Sequence, residues 1–283
     1  MLTITLKDHS GIVPFWSRSA HSAFLLLLLF DLQAAAQSSY QVVSLSSSGA
    51  IKGTVTWSGA PPHLAPYPIN KDSAVCDPNS QKTRDLERLI IGPRGGVANT
   101  VVFLKNITSG KPMNFPEARQ FLNQRQCRYE PHILLVGKDS NLQMKSSDPV
   151  LHTIHMDGAA TYNLPFPFTN QTVSRSMSSS GLVNLRCNGG HVWMNAEIIV
   201  APHPYYAVTD ESGKFELTEV PPGEYEIVAW HEGWNMLREE SAFDVLTERR
   251  VKRPIFSDPR TWHSSAVVRS NETTTVDFTI SEK

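Results

Sequence analysis

Cys187-Asn188-Gly189-Gly190-His191-Val192-Trp193-Met194 places a thiol, an imidazole and a thioether in one short segment. An ion that cycles between Cu(I) and Cu(II) uses these donor types, soft sulfur for the reduced state and borderline nitrogen for both. A second imidazole must come from elsewhere in the chain, and Ser147-Asp148-Pro149-Val150-Leu151-His152 supplies one upstream. His152, Cys187, His191 and Met194 together make the donor list of a type 1 copper centre: two imidazoles and a thiolate in a trigonal set, with a weak axial thioether. Each residue alone says little, since a buried cysteine is ordinarily a small hydrophobe. The joint spacing carries the specificity, and a zinc site or a degenerate, empty one remain as alternatives.

Such donors need strands to aim them. Almost every periodic segment alternates with period two and long helical faces are scarce, so the chain is expected to be mainly β. A loop between strands at 182–187 and 197–200 would point Cys187, His191 and Met194 at one spot, and His152 would approach from a strand at 151–155. Further strands are expected at 132–136 and 142–145. Outside this region, strands are expected through Ile51, Gly53, Val55 and Trp57, at 97–104, 214–217 and 225–230, and through Val276, Phe278 and Ile280. His132 and His155 are candidates to sit beside the ligands and orient them. His155 lies three positions after His152 and so faces the other side of a regular strand. Residues 235–262 fit no strand pattern and are expected to form a charged loop, with Arg249, Arg250, Lys252 and Arg253 as a solvated cluster.

Gly53-Thr54-Val55, Ser58-Gly59-Ala60-Pro61, Val208-Thr209-Asp210-Glu211-Ser212-Gly213-Lys214-Phe215-Glu216-Leu217 and Val220-Pro221-Pro222-Gly223-Glu224-Tyr225 resemble the carboxypeptidase regulatory-like domain, a small transthyretin-like β-sandwich. In that family the opening strand and the Thr-Asp-x-x-Gly-x-Phe motif lie close in sequence, whereas here a much longer stretch separates them. The resemblance implies that a second domain is inserted between strands of the sandwich. Residues 111–203, which hold all four donors, resemble a cupredoxin of the plastocyanin-like, type 1 copper kind. The implied organisation is all-β: a signal peptide at 1–36, a first part of the sandwich at 49–110, a cupredoxin-like copper domain at 111–203, and the rest of the sandwich at 204–283, both domains being Greek-key sandwiches. The ligand loop also resembles the dinuclear copper loop of cytochrome oxidase subunit II. Val183 stands where the bridging second cysteine would be, which disfavours a dinuclear centre.

Lys7 and Arg18, the apolar run from Phe24 to Phe30, and Ala34-Ala35-Ala36 read as a signal peptide cut near Ala36. The run is too short to span a bilayer, so no stable membrane insertion is expected, although the leader could be kept as an anchor. An exported protein, periplasmic or extracellular, tends to pair its thiols. With three cysteines, Cys76 and Cys127 are the candidate disulfide and Cys187 is left for the metal, two buried free thiols being the alternative. A net charge of −1 gives no overall field to recruit nucleic acid.

Several enzyme signatures are missing. No His-x-x-Glu pair occurs, Gly92-Pro93-Arg94-Gly95-Gly96 lacks the lysine of a phosphate loop, there is no Gly-x-Ser-x-Gly, and no His-x-His cluster of a multicopper oxidase is present. The expectation is a non-enzymatic copper protein that passes electrons to a redox partner protein. Two alternatives stand beside it. One is a cell-envelope binding module whose sandwich takes carbohydrate on Trp57, Tyr205, Tyr206, Trp230 and Trp234. The other is copper storage or delivery, which needs an exposed, exchangeable site.

Overall fold

The computed structural model describes residues 40–115, 120–244 and 248–282. The signal peptide expected at 1–36 lies outside the described residues. The described chain is all-β, built from two sandwiches, and its one short helix is Ser73–Cys76.

In the first sandwich one antiparallel sheet runs Tyr206–Val208, Val101–Lys105, Gly223–His231, Arg260–Val268. In the other, Gly49–Trp57 lies between Lys214–Val220 on one side and Thr273–Thr275 with Phe278–Ile280 on the other. Alternation decides which side chains meet between them: Ile51 and Val55 from one sheet and Leu104, Ile227 and Ala229 from the other share a single buried cluster with Phe215 and Trp234.

The second sandwich carries the candidate donors. Its five-stranded sheet runs Tyr162–Phe166, His152–Gly158, Gly181–Arg186, Asn195–Ala201, Ile133–Gly137, the last pair being parallel. Its four-stranded sheet runs Thr172–Ser176, Asn141–Ser146, Phe121–Arg125, Arg128–Glu130. Leu122, Leu142 and Met144 from one sheet meet Ile154, Met156, Val183 and Ile198 from the other. Tyr67 and Cys76 are buried in this same core, with Ile69, Val75 and Leu86 packed against it. Residues 67–86, which precede the Val101–Lys105 strand of the first sandwich, are therefore physically part of the second.

Ile133–Gly137 is buried along its whole length, because its two faces have different neighbours. Leu134 and Val136 face the second core. Ile133 and Leu135 face Val101 and Ala201 in a third cluster that joins the two sandwiches. Phe103 and Tyr206, stacked at 4.8 Å, pack against that junction.

The structure corrects the sequence reading at 235–262. This stretch forms an antiparallel hairpin of Met236–Asp244 with Arg249–Phe256, followed by strand Arg260–Val268. Period-two burial is absent from Met236–Asp244, which is exposed nearly throughout, because the ribbon belongs to neither sandwich. Its register sets Glu240 opposite Arg253 and Asp244 opposite Arg249, and an ion pair crosses the ribbon between Lys252 and Glu239 at 3.6 Å.

Candidate metal centre

One strand and the loop between two others bring three candidate donors together. His152 opens the strand His152–Gly158. Cys187 follows the strand Gly181–Arg186, and the loop to Asn195–Ala201 carries His191 and Met194. His152, Cys187 and His191 each offer a ligand atom, and these atoms lie within 4.8 Å of one another. The two imidazole Nδ1 atoms are 3.2 Å apart and Cys187 Sγ is 3.7 Å from His191 Nδ1. Donors sharing one ion through bonds of about 2.0–2.3 Å are separated by roughly this much. Met194 is buried in the same cluster as Cys187, and its N–H donates to the His191 carbonyl at 3.0 Å, which closes the loop into a turn.

The outer nitrogens are tied down. His152 Nε2 meets Asp148 Oδ2 at 2.8 Å, and His191 Nε2 meets Asp72 Oδ2 at 2.8 Å. A carboxylate on Nε2 fixes the proton there and leaves the Nδ1 lone pair facing inward, the arrangement that orients metal-bound histidines. Asp148 is itself held by the N–H groups of Gln126 and Cys127, at 2.7 and 2.8 Å. Cys187 Sγ accepts from the N–H groups of Thr153 and Gly189, at 3.4 and 3.3 Å, contacts that favour its thiolate form. The Thr153 hydroxyl, in turn, accepts from Asn188 N–H at 2.6 Å, which pins the start of the loop to the neighbouring strand.

Electrostatics point the same way. Burial pushes the Cys187 thiol up, but hydrogen bonding with His152 and His191 and their charge outweigh it and hold the group well below its ordinary value. Burial pulls His152 down, yet the Asp148 carboxylate and the Cys187 thiolate raise it to about 9. Asp148, pushed up by burial, is brought below its ordinary value by His152 and the two backbone donors. In the metal-free chain the raised His152 imidazolium balances the thiolate, and a metal ion that displaced its Nδ1 proton would meet two imidazole nitrogens and a thiolate in one buried space. Thiolate plus two imidazoles, with a thioether in the same loop, fits copper better than a hard cation.

Segments outside the loop enclose it. Cys76 and Cys127 form a buried disulfide, and both sulfur atoms lie within 4.8 Å of a ring nitrogen of His191. Trp193 Nε1 donates to the Cys127 carbonyl at 3.2 Å. Lys71 Nζ donates to the Gly189 carbonyl at 2.7 Å and pairs with Asp244 at 3.2 Å. Gly190 adopts φ +87°, and a Cβ there would stand 2.4 Å from Asp244 Oδ2, so backbone conformation and close approach both select glycine. Arg253 Nη2 donates to the Cys187 carbonyl at 3.1 Å and to Asn188 Oδ1 at 3.3 Å.

The other two histidines lie elsewhere. His132 pairs with Glu232, whose other oxygen meets Arg88 at 2.9 Å, in a charge cluster that links the two sandwiches. His155, half-buried, accepts from Arg186 Nη2 at 2.7 Å. Neither shares a described hydrogen bond with Cys187, His152 or His191. Among the groups contacting the donors, Asp148 was visible in the Ser-Asp-Pro turn before His152. Asp72 is 119 positions from His191 and carried no local signal. Arg253 was read as one of a solvated basic cluster, whereas it is half-buried against Cys187 and Asn188.

Residues 204–254 match the family model described as BOS complex subunit NOMO1-like, second beta sandwich domain. No curated protein matches the chain. Among solved structures, part of the chain is similar to a purple cupredoxin from Nitrosopumilus maritimus, at 16% identity over 29% of this chain and 98% of that one, TM-score 0.26. It is also similar to a mutant of amicyanin, at 19% identity over 29% and 80% of the two chains, TM-score 0.27. A third similar structure is the Cu-containing nitrite reductase NirK from Thermus scotoductus SA-01, at 12% identity over 34% and 24%, TM-score 0.27.

Proposed function

We propose that this chain is an exported electron-transfer protein in which His152, Cys187 and His191, with the Met194 thioether, would hold one copper ion. The observation that carries this reading is the convergence of three buried donors whose outer atoms are already engaged. A copper ion held there would supply one-electron redox chemistry. The chain's residues do the rest. Asp148 and Asp72 fix both imidazoles in one tautomer and orientation. Thr153 N–H and Gly189 N–H hold the sulfur. The four proposed ligands are buried to within one percent of full coverage, which excludes water and leaves no exposed donor for a substrate.

Burial also favours electron transfer over storage or delivery, which require a site that exchanges its metal. The carbohydrate alternative gains no support: Tyr205 and Trp234 are buried, and Trp57, Tyr206 and Trp230 are half-buried, so none of the five is a fully exposed ring. Export is supported by the leader-like residues 1–36 and by the disulfide, since such bonds persist in oxidising compartments. Among the described residues no helix is long and apolar enough to cross a membrane.

Metal analysis with voltammetry tests the proposal. One copper per chain and a reversible one-electron wave are expected. Substoichiometric copper, or a copper-loaded protein with no reversible wave, would contradict it.

A further inference from the structure

The sequence marks out Arg249, Arg250, Lys252 and Arg253 as a basic cluster, and the structure separates one member from the rest. Arg249, Arg250 and Lys252 are exposed, whereas Arg253 is half-buried and turned onto the ligand loop. Its guanidinium donates to the carbonyl of Cys187 and to the side chain of Asn188, at 3.1 and 3.3 Å. No carboxylate lies within ion-pair distance of it among the described residues. Its cross-strand neighbour Glu240 is instead paired with Arg238. A half-buried guanidinium without a carboxylate partner, fixed against the residue that supplies the thiolate, directs its charge at the donor set.

That charge has something to offset. Both imidazoles lean on carboxylates, Asp148 and Asp72, and the thiolate adds a third negative group. Each of these favours the more positive oxidation state of a bound metal. We infer that Arg253, a residue of the outer hairpin, is a positioning residue of the copper centre that raises its reduction potential. It does so in two ways of the same sign. Its positive charge favours Cu(I) over Cu(II). Its hydrogen bond to the Cys187 carbonyl draws electron density from the residue whose sulfur is the strongest donor. The inference rests on the copper reading above, and it makes the Met236–Phe256 hairpin part of the centre rather than an appendage of the first sandwich.

The test compares copper-loaded wild type with Arg253→Met and Arg253→Lys by visible absorption and by redox titration. Expected is an intense thiolate-to-copper band in all three proteins. In Arg253→Met the Cu(I)/Cu(II) ratio at a fixed ambient potential should fall about tenfold, which for one electron corresponds to about 59 mV. Arg253→Lys keeps the charge and should fall less than half as far. If Arg253→Met does not fold, Arg253→Gln, which keeps a donor without the charge, carries the same comparison. An unchanged potential in the neutral variant, or a lysine variant shifted as far as the neutral one, overturns the inference while leaving the copper site standing. Absence of the band in wild type removes the copper reading itself.

Discussion

At the scale of single residues, the candidate centre is defined by what each donor's far side does. Asp148 is 5% exposed and held by two backbone donors, while Asp72 is 35% exposed. Two chemically equivalent supports therefore differ in solvent access. Removing such a support commonly weakens metal binding by about 10–100-fold. Asp148→Ala should sit at the large end of that range, because it also strands the N–H groups of Gln126 and Cys127, and Asp72→Ala should sit at the small end. Titration against a competing Cu(I) chelator ranks them; the reverse order would contradict the burial argument. Met194 is expected to tune the metal rather than hold it, since an axial thioether bond is long and weak. Met194→Leu should keep one copper and raise the reduction potential, because a donor that favours Cu(II) is lost. If Met194→Leu loses copper as completely as Cys187→Ser, the axial role is wrong.

At the scale of elements, the ligand loop is held from outside its own sheet. The segment carrying Lys71, Asp72 and Cys76 is fastened to the second sandwich by the Cys76–Cys127 disulfide, which closes a separation of 51 residues. A loop of that size makes the bond worth about 2–4 kcal/mol, and it also keeps Asp72 on His191. Thiol titration of denatured, metal-free, unreduced protein should find one free thiol; three would rule out the pairing. Replacing both cysteines by alanine should lower stability by the amount above and weaken copper binding as Asp72→Ala does, because both loosen the same contact. The elements legible in the sequence were those with a buried face. Ile51 and Val55 alternate into a core, and Ile133–Gly137 is apolar throughout because both its faces are covered. The hairpin at 236–256 was illegible because it has no core of its own, only its backbone ladder, an ion pair between Lys252 and Glu239, and a few contacts to the loop at 187–194. The candidate donors His152, Cys187 and His191, which the fold brings within 4.8 Å of one another, could be proposed from residue type and spacing. Asp72 and Arg253 could not, since only the tertiary fold brings them there.

At the scale of the whole molecule, the two sandwiches share a buried polar junction as well as the apolar one. Arg88 donates to the Gly233 carbonyl and to Asn195 Oδ1, both at 2.9 Å, and pairs with Glu232. Asn195 directly follows Met194, so the junction also anchors the end of the ligand loop. Glu197 is buried nearby, and burial, with the Glu232 carboxylate adding to it, pushes its pKa from 4.5 up to about 8. In the unfolded chain this group ionises near 4.5, while in the folded protein it stays protonated until about pH 8. Its contribution to stability is thus fully present below pH 4.5 and is lost as pH rises toward 8. Denaturant melts of wild type and Glu197→Gln across this range should show the wild type losing stability relative to the variant as pH increases. A difference that does not change with pH would mean that Glu197 is ionised in the folded state.

The central claim is that Cys187 is the thiolate ligand of a single copper ion shared with His152 and His191. It is tested most directly by the visible absorption spectrum of the purified protein loaded with Cu(II), recorded beside Cys187→Ser under the same conditions. The account predicts an intense thiolate-to-copper band toward the red end of the visible range in the wild type and its complete loss in the variant. A wild type without that band, or a variant that retains it, contradicts the account.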